Sequence, residues 1–311
     1  MKCFVTGATG AVGWPLVRAL RAAGHDVRAV ARDDAKAAQL LAEGVEPVVL
    51  DLFDGAAVSE GVQGCDAIVH FATNVPPMSR VAFPPAWKTH NRLRTEATRH
   101  LLDGARRHGI TRFVKESITF AYPDCGAAWI DETVGPDASV KPLRPTLEGE
   151  RLVEEFTVAG GEGVVLRFGL FYGPGNRAID EALRLARFRS FPIAGRGSSY
   201  MSSIHVDDAA NAAVAALDSA PGTYNVVDDE PLTRREYVDA FSAAFDLPRL
   251  RLTPWWLLRT IGGSGAKALY ASQRVSNRRF RETTGWTPAM PSAKGGWAMI
   301  GAAQGRSGNG D

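Results

Sequence analysis

Thr6-Gly7-Ala8-Thr9-Gly10-Ala11-Val12-Gly13 is the stretch that decides the fold. An apolar run, Lys2-Cys3-Phe4-Val5, leads into it, and a helical apolar pattern over 12–23 leads out. A glycine-spaced turn between a strand and a helix has a physical use. Gly7 permits a tight turn, Gly10 lets the backbone approach a pyrophosphate, and Gly13 lets the helix lie close to the strand. The helix start then presents unpaired N–H groups and a partial positive charge, which suit a phosphate. Gly7, Thr9, Gly10, Ala11 and Val12 are therefore candidate dinucleotide-binding residues.

The same rhythm continues outward. Strands are expected at 26–31, 46–50, 66–71, 111–117 and 163–167, with helices near 34–43, 88–108 and 146–159. Alternating strands and helices imply an α/β fold, a Rossmann-like doubly wound parallel sheet with helices on both faces. After residue 170 the pattern loosens. We expect a dinucleotide-binding domain over 1–169, rejoined by 204–230, and a smaller C-terminal substrate-binding subdomain from 170–203 and 231–294. Residues 295–311, rich in Gly, Ala, Ser and Asn, are expected to form a flexible tail.

Composition narrows the function. The 311 residues are 45% hydrophobic and 23% charged, with a net charge of +2, so a nucleic-acid surface is not expected. Cys3, Cys65 and Cys125 lack metal-cluster spacing, so no metal is expected. No stretch reads as a signal peptide or membrane span, which points to a cytoplasmic protein.

At the end of the second strand the acid that would bind the adenosine ribose is replaced by Ala31, followed by Arg32. A guanidinium pairs well with a 2′-phosphate, so NADP(H) is preferred and NAD(H) remains possible. The competing reading is a surface arginine beside Asp33 and Asp34.

Several further motifs carry a resemblance: Leu50-Asp51-Leu52, His70-Phe71-Ala72-Thr73, Arg112-Phe113-Val114, Leu166 to Gly175, His205-Val206-Asp207-Asp208 and Thr223-Tyr224-Asn225-Val226. With the glycine loop, they make the chain resemble the extended short-chain dehydrogenase/reductases, the NAD-dependent epimerase/dehydratase group, over about 2–290. The resemblance implies that Asp51 and Leu52 meet the adenine. It implies that Phe71, Ala72 and Thr73 line the ribose and nicotinamide side, and that Phe168 to Phe171 hold the carboxamide; Ser117 joins this cofactor-binding set. His205 and Asp208 are read as structural.

The family's acid is a tyrosine with a lysine four residues later on the same helix face. Aligning on Pro145 puts Thr146 and Glu150 there. The family's serine falls on Ile118, with Thr119 adjacent, and its helix asparagine falls on Asn91 or Arg94. A threonine hydroxyl donates a hydrogen bond but not readily a proton. Lys115 is the nearest cation, and strand alternation leaves its face open.

Thr119, Thr146 and Lys115 are the candidates for orienting a substrate. Phe83, Trp87, Phe191, Tyr200, Trp255 and Trp256 suit a flat apolar molecule. The expectation is an atypical NADPH-dependent ketoreductase resembling natural-product tailoring enzymes of antibiotic biosynthesis. It would act on a hydrophobic, aromatic polyketide-like carbonyl compound. Alternatives are a non-catalytic NADP(H)-binding sensor and, less favoured, a sugar-nucleotide epimerase or dehydratase. Charged residues on the 88–108 helix point to a monomer or weak homodimer.

Overall fold

The computed structural model describes residues 1–77, 80, 83–253 and 265–307. Seven strands form the central sheet: β1 (Lys2–Thr6), β2 (Asp26–Ala31), β3 (Glu46–Val49), β4 (Ala67–His70), β5 (Arg112–Ile118), β6 (Glu162–Phe168) and β7 (Gly222–Val226). Their order is β7-β6-β5-β4-β1-β2-β3, and every pair is parallel. The order reverses between β1 and β4, the switch point at which open α/β sheets bind ligands.

A parallel sheet covered on both faces needs apolar side chains on both faces of its strands. Cys3, Val5, Val69, Val114 and Leu166 join one core with the Gly13–Ala22 and Val206–Ala215 helices. Their neighbours Phe4, Ile68, Phe113 and Val165 join the other, with Leu101, Leu102, Leu152, Val153 and Phe156. The last five lie on the Thr98–His108 and Arg144–Val158 helices. The expected strands and helices are therefore present in the expected order.

A third core gathers Tyr172, Phe191, Tyr237, Val238, Phe241, Leu250, Trp297 and Ile300. One expectation is corrected here. The segment from 295, read as a loose tail, belongs to a helix, Ala293–Ser307, whose Trp297 and Ile300 are buried against the Arg234–Ala244 helix. Its glycines obscured two anchor residues a turn apart, and those anchors outweigh helix propensity.

The long helix near 88–108 is interrupted. It runs as α-helix over Lys88–Arg92, widens to a π turn over Leu93–Ala97, and resumes at Thr98. The Arg144–Val158 helix crosses this turn at Gly149. A Cβ there would strike the Arg94 carbonyl oxygen and lie 2.7 Å from Lys115 Cε. Glycine to alanine in a helix ordinarily stabilises by about 1 kcal/mol. At this crossing we expect Gly149→Ala to destabilise instead, by about 1–3 kcal/mol, in urea unfolding.

Candidate active site

The glycine loop is built as a cradle. Gly7 has φ +80°, and a Cβ on it would lie 2.5 Å from the Phe71 carbonyl. A Cβ on Gly13 would strike the Gly7 carbonyl oxygen, so β1 and the following helix meet backbone to backbone. The Thr6 hydroxyl accepts from the Ala72 N–H (3.3 Å) and lies 2.7 Å from His70 Nδ1. His70 Nε2 must donate to the Leu93 carbonyl (3.1 Å), so Nδ1 accepts from Thr6. Burial, then the nearby Lys115, hold this imidazole neutral, well below its ordinary pKa.

Arg32 stands exposed past the end of β2 and forms no ion pair with another described residue. Asp33 does not pair with it: its carboxylate caps the next helix by accepting from the Lys36 N–H (2.8 Å). Asp51 is exposed, Leu52 is buried, and the rings of Phe71, Phe168 and Phe171 contact one another in series, edge-on at 5.5 Å and tilted at 5.2 Å. The loop that a Cβ would fill and the free guanidinium fit a phosphorylated dinucleotide.

Beyond the loop, the positions of the family's acid pair are both buried. Thr146 lies on the first turn of the Arg144–Val158 helix. Glu150, one turn on, is drawn away into a polar network. It accepts from Ser117 Oγ (2.5 Å), Arg167 Nε (3.0 Å) and Arg167 Nη2 (2.6 Å). Arg167 Nη1 donates to the Tyr122 hydroxyl (2.9 Å), which donates to Asn225 Oδ1 (2.8 Å). Burial pushes the Tyr122 phenol up, so this tyrosine is a poor replacement acid. Ser117, expected among the cofactor contacts, spends its hydroxyl on Glu150.

Lys115 is resolved to the face of β5 that meets the Arg144–Val158 helix, where it lies against Gly149. The residue is 1% exposed, and no hydrogen bond or ion pair joins its ammonium to another described residue. Burial, followed by the charge of Arg94, pushes it down to about 7 against the opposing pull of Glu116 and Glu150. Arg94, read from sequence as a helix-surface charge, is instead buried and paired with Glu116 (2.5 Å). It sits in the π turn, three residues after Asn91.

His90 was missed by sequence reasoning. It is buried, its Nε2 accepts from Arg94 Nε (3.4 Å), and its Nδ1 has no partner. Burial, then Arg94 and Lys115, lower its pKa to about 3. The only sequence signal was its place one turn before Arg94. Thr119 is buried in a single turn after β5.

The aromatic candidates divide. Trp87 packs edge-on to His90 (5.2 Å), and Tyr200 lies under Arg274 (4.9 Å). Phe83 is exposed, whereas Phe191 is core, edge-on to Phe241 at 4.8 Å. Trp255 and Trp256 lie outside the described residues. Asp208 accepts from the Ala289 and Met290 N–H groups (2.8 and 2.9 Å), a structural tie. No metal-binding group occurs among the described residues, and none of their helices is long and apolar enough to cross a membrane.

Residues 3–226 match the NAD dependent epimerase/dehydratase family, and the chain belongs to it. It is 37% identical to a 3-diazoavenalumate denitrifying reductase of a Streptomyces species, covering 95% of this chain and 99% of that one. It is 29% identical to a 4-hydroxy-2-methyl-3-oxo-4-farnesyl-3,4-dihydroquinoline-1-oxide ketoreductase of Stigmatella aurantiaca, over 76% and 71% of the two chains. The fold matches human epimerase family protein SDR39U1 (isoform 2), solved with NADPH, at TM-score 0.78 and 24% identity over 97% and 99% of the chains. The protein is an oxidoreductase dependent on a nicotinamide dinucleotide.

Two expected outcomes follow from the buried charges. Glu150→Lys, which restores the family's residue, should destabilise by about 3–5 kcal/mol in denaturant unfolding, because it strands Arg167. Lys115 binds fewer protons folded than unfolded between pH 7 and its ordinary 10.5, so stability should rise with pH across that window. Thermal midpoints of wild type and Lys115→Met, followed from pH 7 upward, should converge as the burial penalty disappears.

Proposed function

We propose that the protein is an NADPH-dependent reductase of a hydrophobic, aromatic small molecule, working without a tyrosine–lysine acid pair. One observation carries this reading: Thr146 and a locked Glu150 occupy the two acid positions, beside an intact dinucleotide cradle. Bound NADPH would supply hydride. Arg32 would meet its 2′-phosphate, and Thr119 and Thr146 would orient the substrate by hydrogen bonds.

Such a site suits an electrophile that makes a small demand on a protein acid. A ketone flanked by a phenol or enol carries its own internal hydrogen bond, and this ketoreductase reading keeps a polyketide-like substrate in view. The full-length similarity to a denitrifying reductase favours a second electrophile, an aryl diazo group. Hydride added to the outer nitrogen of an aryl diazonium ion gives a diazene, which releases N2 and leaves the C–H bond. Atoms and charge balance with no further proton. Either substrate would suit a role in natural-product tailoring. An epimerase cycle needs a base at the Thr146 position and hydride return, so it is the least supported of these chemistries.

Outward-facing charge pairs such as Arg99–Glu148 and Arg151–Glu148 support a monomer or weak homodimer. The test is loss of dihydronicotinamide absorbance with a panel of aryl ketones and aryl diazo compounds. Stoichiometric NADPH binding with no turnover on any of them would favour the sensor reading. Thr146→Val should retain activity to within about tenfold, whereas removing an essential acid costs about two to four orders of magnitude. Arg32→Ala should raise the KM for NADPH about tenfold and leave that for NADH unchanged.

A further inference from the structure

Two buried donors in this region have no acceptor among the described residues. Lys115 lies on β5 against Gly149 of the Arg144–Val158 helix, and His90 lies on the Lys88–Arg92 helix, near enough to Lys115 for that charge to lower the imidazole's pKa. The Lys115 ammonium has no hydrogen-bond or ion-pair partner among the described residues. Its Nζ lies 3.4 Å from where a Cβ of Gly149 would be. Thr146 is three residues earlier on the same helix, and side chains so spaced lie about 5–6 Å apart at Cβ. The ammonium is thus within reach of the Thr146 side chain directly or through one bound atom.

His90 adds the second donor. Arginine only donates, so His90 Nε2 accepts from Arg94 and the ring proton sits on Nδ1, the atom left without a partner. A buried polar group without a partner is costly, and a buried unpaired charge more so. The surrounding groups do not relieve it. Arg94 is held by Glu116, Glu150 by Arg167 and Ser117, and His70 by Thr6 and Leu93, while Val165 on the neighbouring strand is apolar.

We infer that Lys115 Nζ and His90 Nδ1 form a two-donor site for an oxygen of the substrate, the one conjugated to the atom that receives hydride. This rests on the reductase reading above and names the part of the substrate the site recognises. The cation of this active site comes from the sheet beneath the helix instead of from the helix itself. When hydride reaches the electrophilic atom, an electron pair passes onto this oxygen. The Nζ proton then moves to it, leaving a neutral amine that solvent reprotonates. The net addition is one hydride and one proton. Stabilising developing charge with preorganised donors in a dry site accelerates a reaction far more than the same contacts would in water.

The test uses wild type, Lys115→Met and His90→Phe, each saturated with NADP+ and titrated with 4-hydroxycinnamate, a phenol that cannot accept hydride. NADPH binding, read by its fluorescence, should be unchanged to within about twofold in all three. Phenol binding should weaken at least tenfold in each variant, and the bound phenol should lose its phenolate absorbance in Lys115→Met. That variant should also melt higher than wild type near pH 7, the opposite of what a structural lysine would give. NADPH binding with equal phenol binding by all three proteins, or by none, overturns the inference and leaves the reductase reading standing. Failure of wild type to bind NADPH overturns both.

Discussion

The buried Glu150–Arg167 ion pair is the interaction on which the rest of the site depends. It fastens the Arg144–Val158 helix to β6 at 2.6 Å, and it extends through Ser117 to β5 and through Tyr122 to Asn225 on β7. A charge in this position survives burial only because its partner and hydrogen bonds are complete. A lysine could not replace Glu150 without leaving two cations face to face. Glu150 is therefore part of a consistent arrangement in which a carboxylate fixes the helix to the sheet.

With Glu150 turned toward Arg167, Lys115 lies against the same helix with no ion-pair partner among the described residues, admitted by the absence of a side chain at Gly149. The π turn over Leu93–Ala97 carries Arg94, whose carbonyl lies against that same glycine. Arg94 in turn neutralises Glu116 and keeps it from pairing with Lys115. Single-turn π widenings inside α-helices occur frequently at functional sites. Here the crossing buries a lysine whose charge is held only at a cost in folding free energy.

Sequence reading recovered the dinucleotide domain almost entirely, because its information is local. Gly10 and Gly13 answer to backbone contacts within the loop itself, and each strand's apolar run answers to burial on both faces. Thr146 and Glu150 follow Pro145 in one unbroken helix, which is the local frame on which their proposed assignment to the acid positions rests. Sequence reading failed on the segment after Gly295, where Trp297 and Ile300 are anchored by residues some fifty positions earlier on the Arg234–Ala244 helix. It failed likewise on Arg94, whose carboxylate partner lies on a strand rather than along its own helix.

What the sequence determined alone was the glycine-spaced loop between β1 and its helix and the arginine that follows β2. Each is settled by residue type and spacing within one strand–turn–helix unit. Only tertiary structure decided where Lys115 points, which carboxylate Arg167 neutralises, and that His90 is left with an unpaired donor. Those facts depend on how two helices cross above one sheet, and no periodicity along the chain records that crossing.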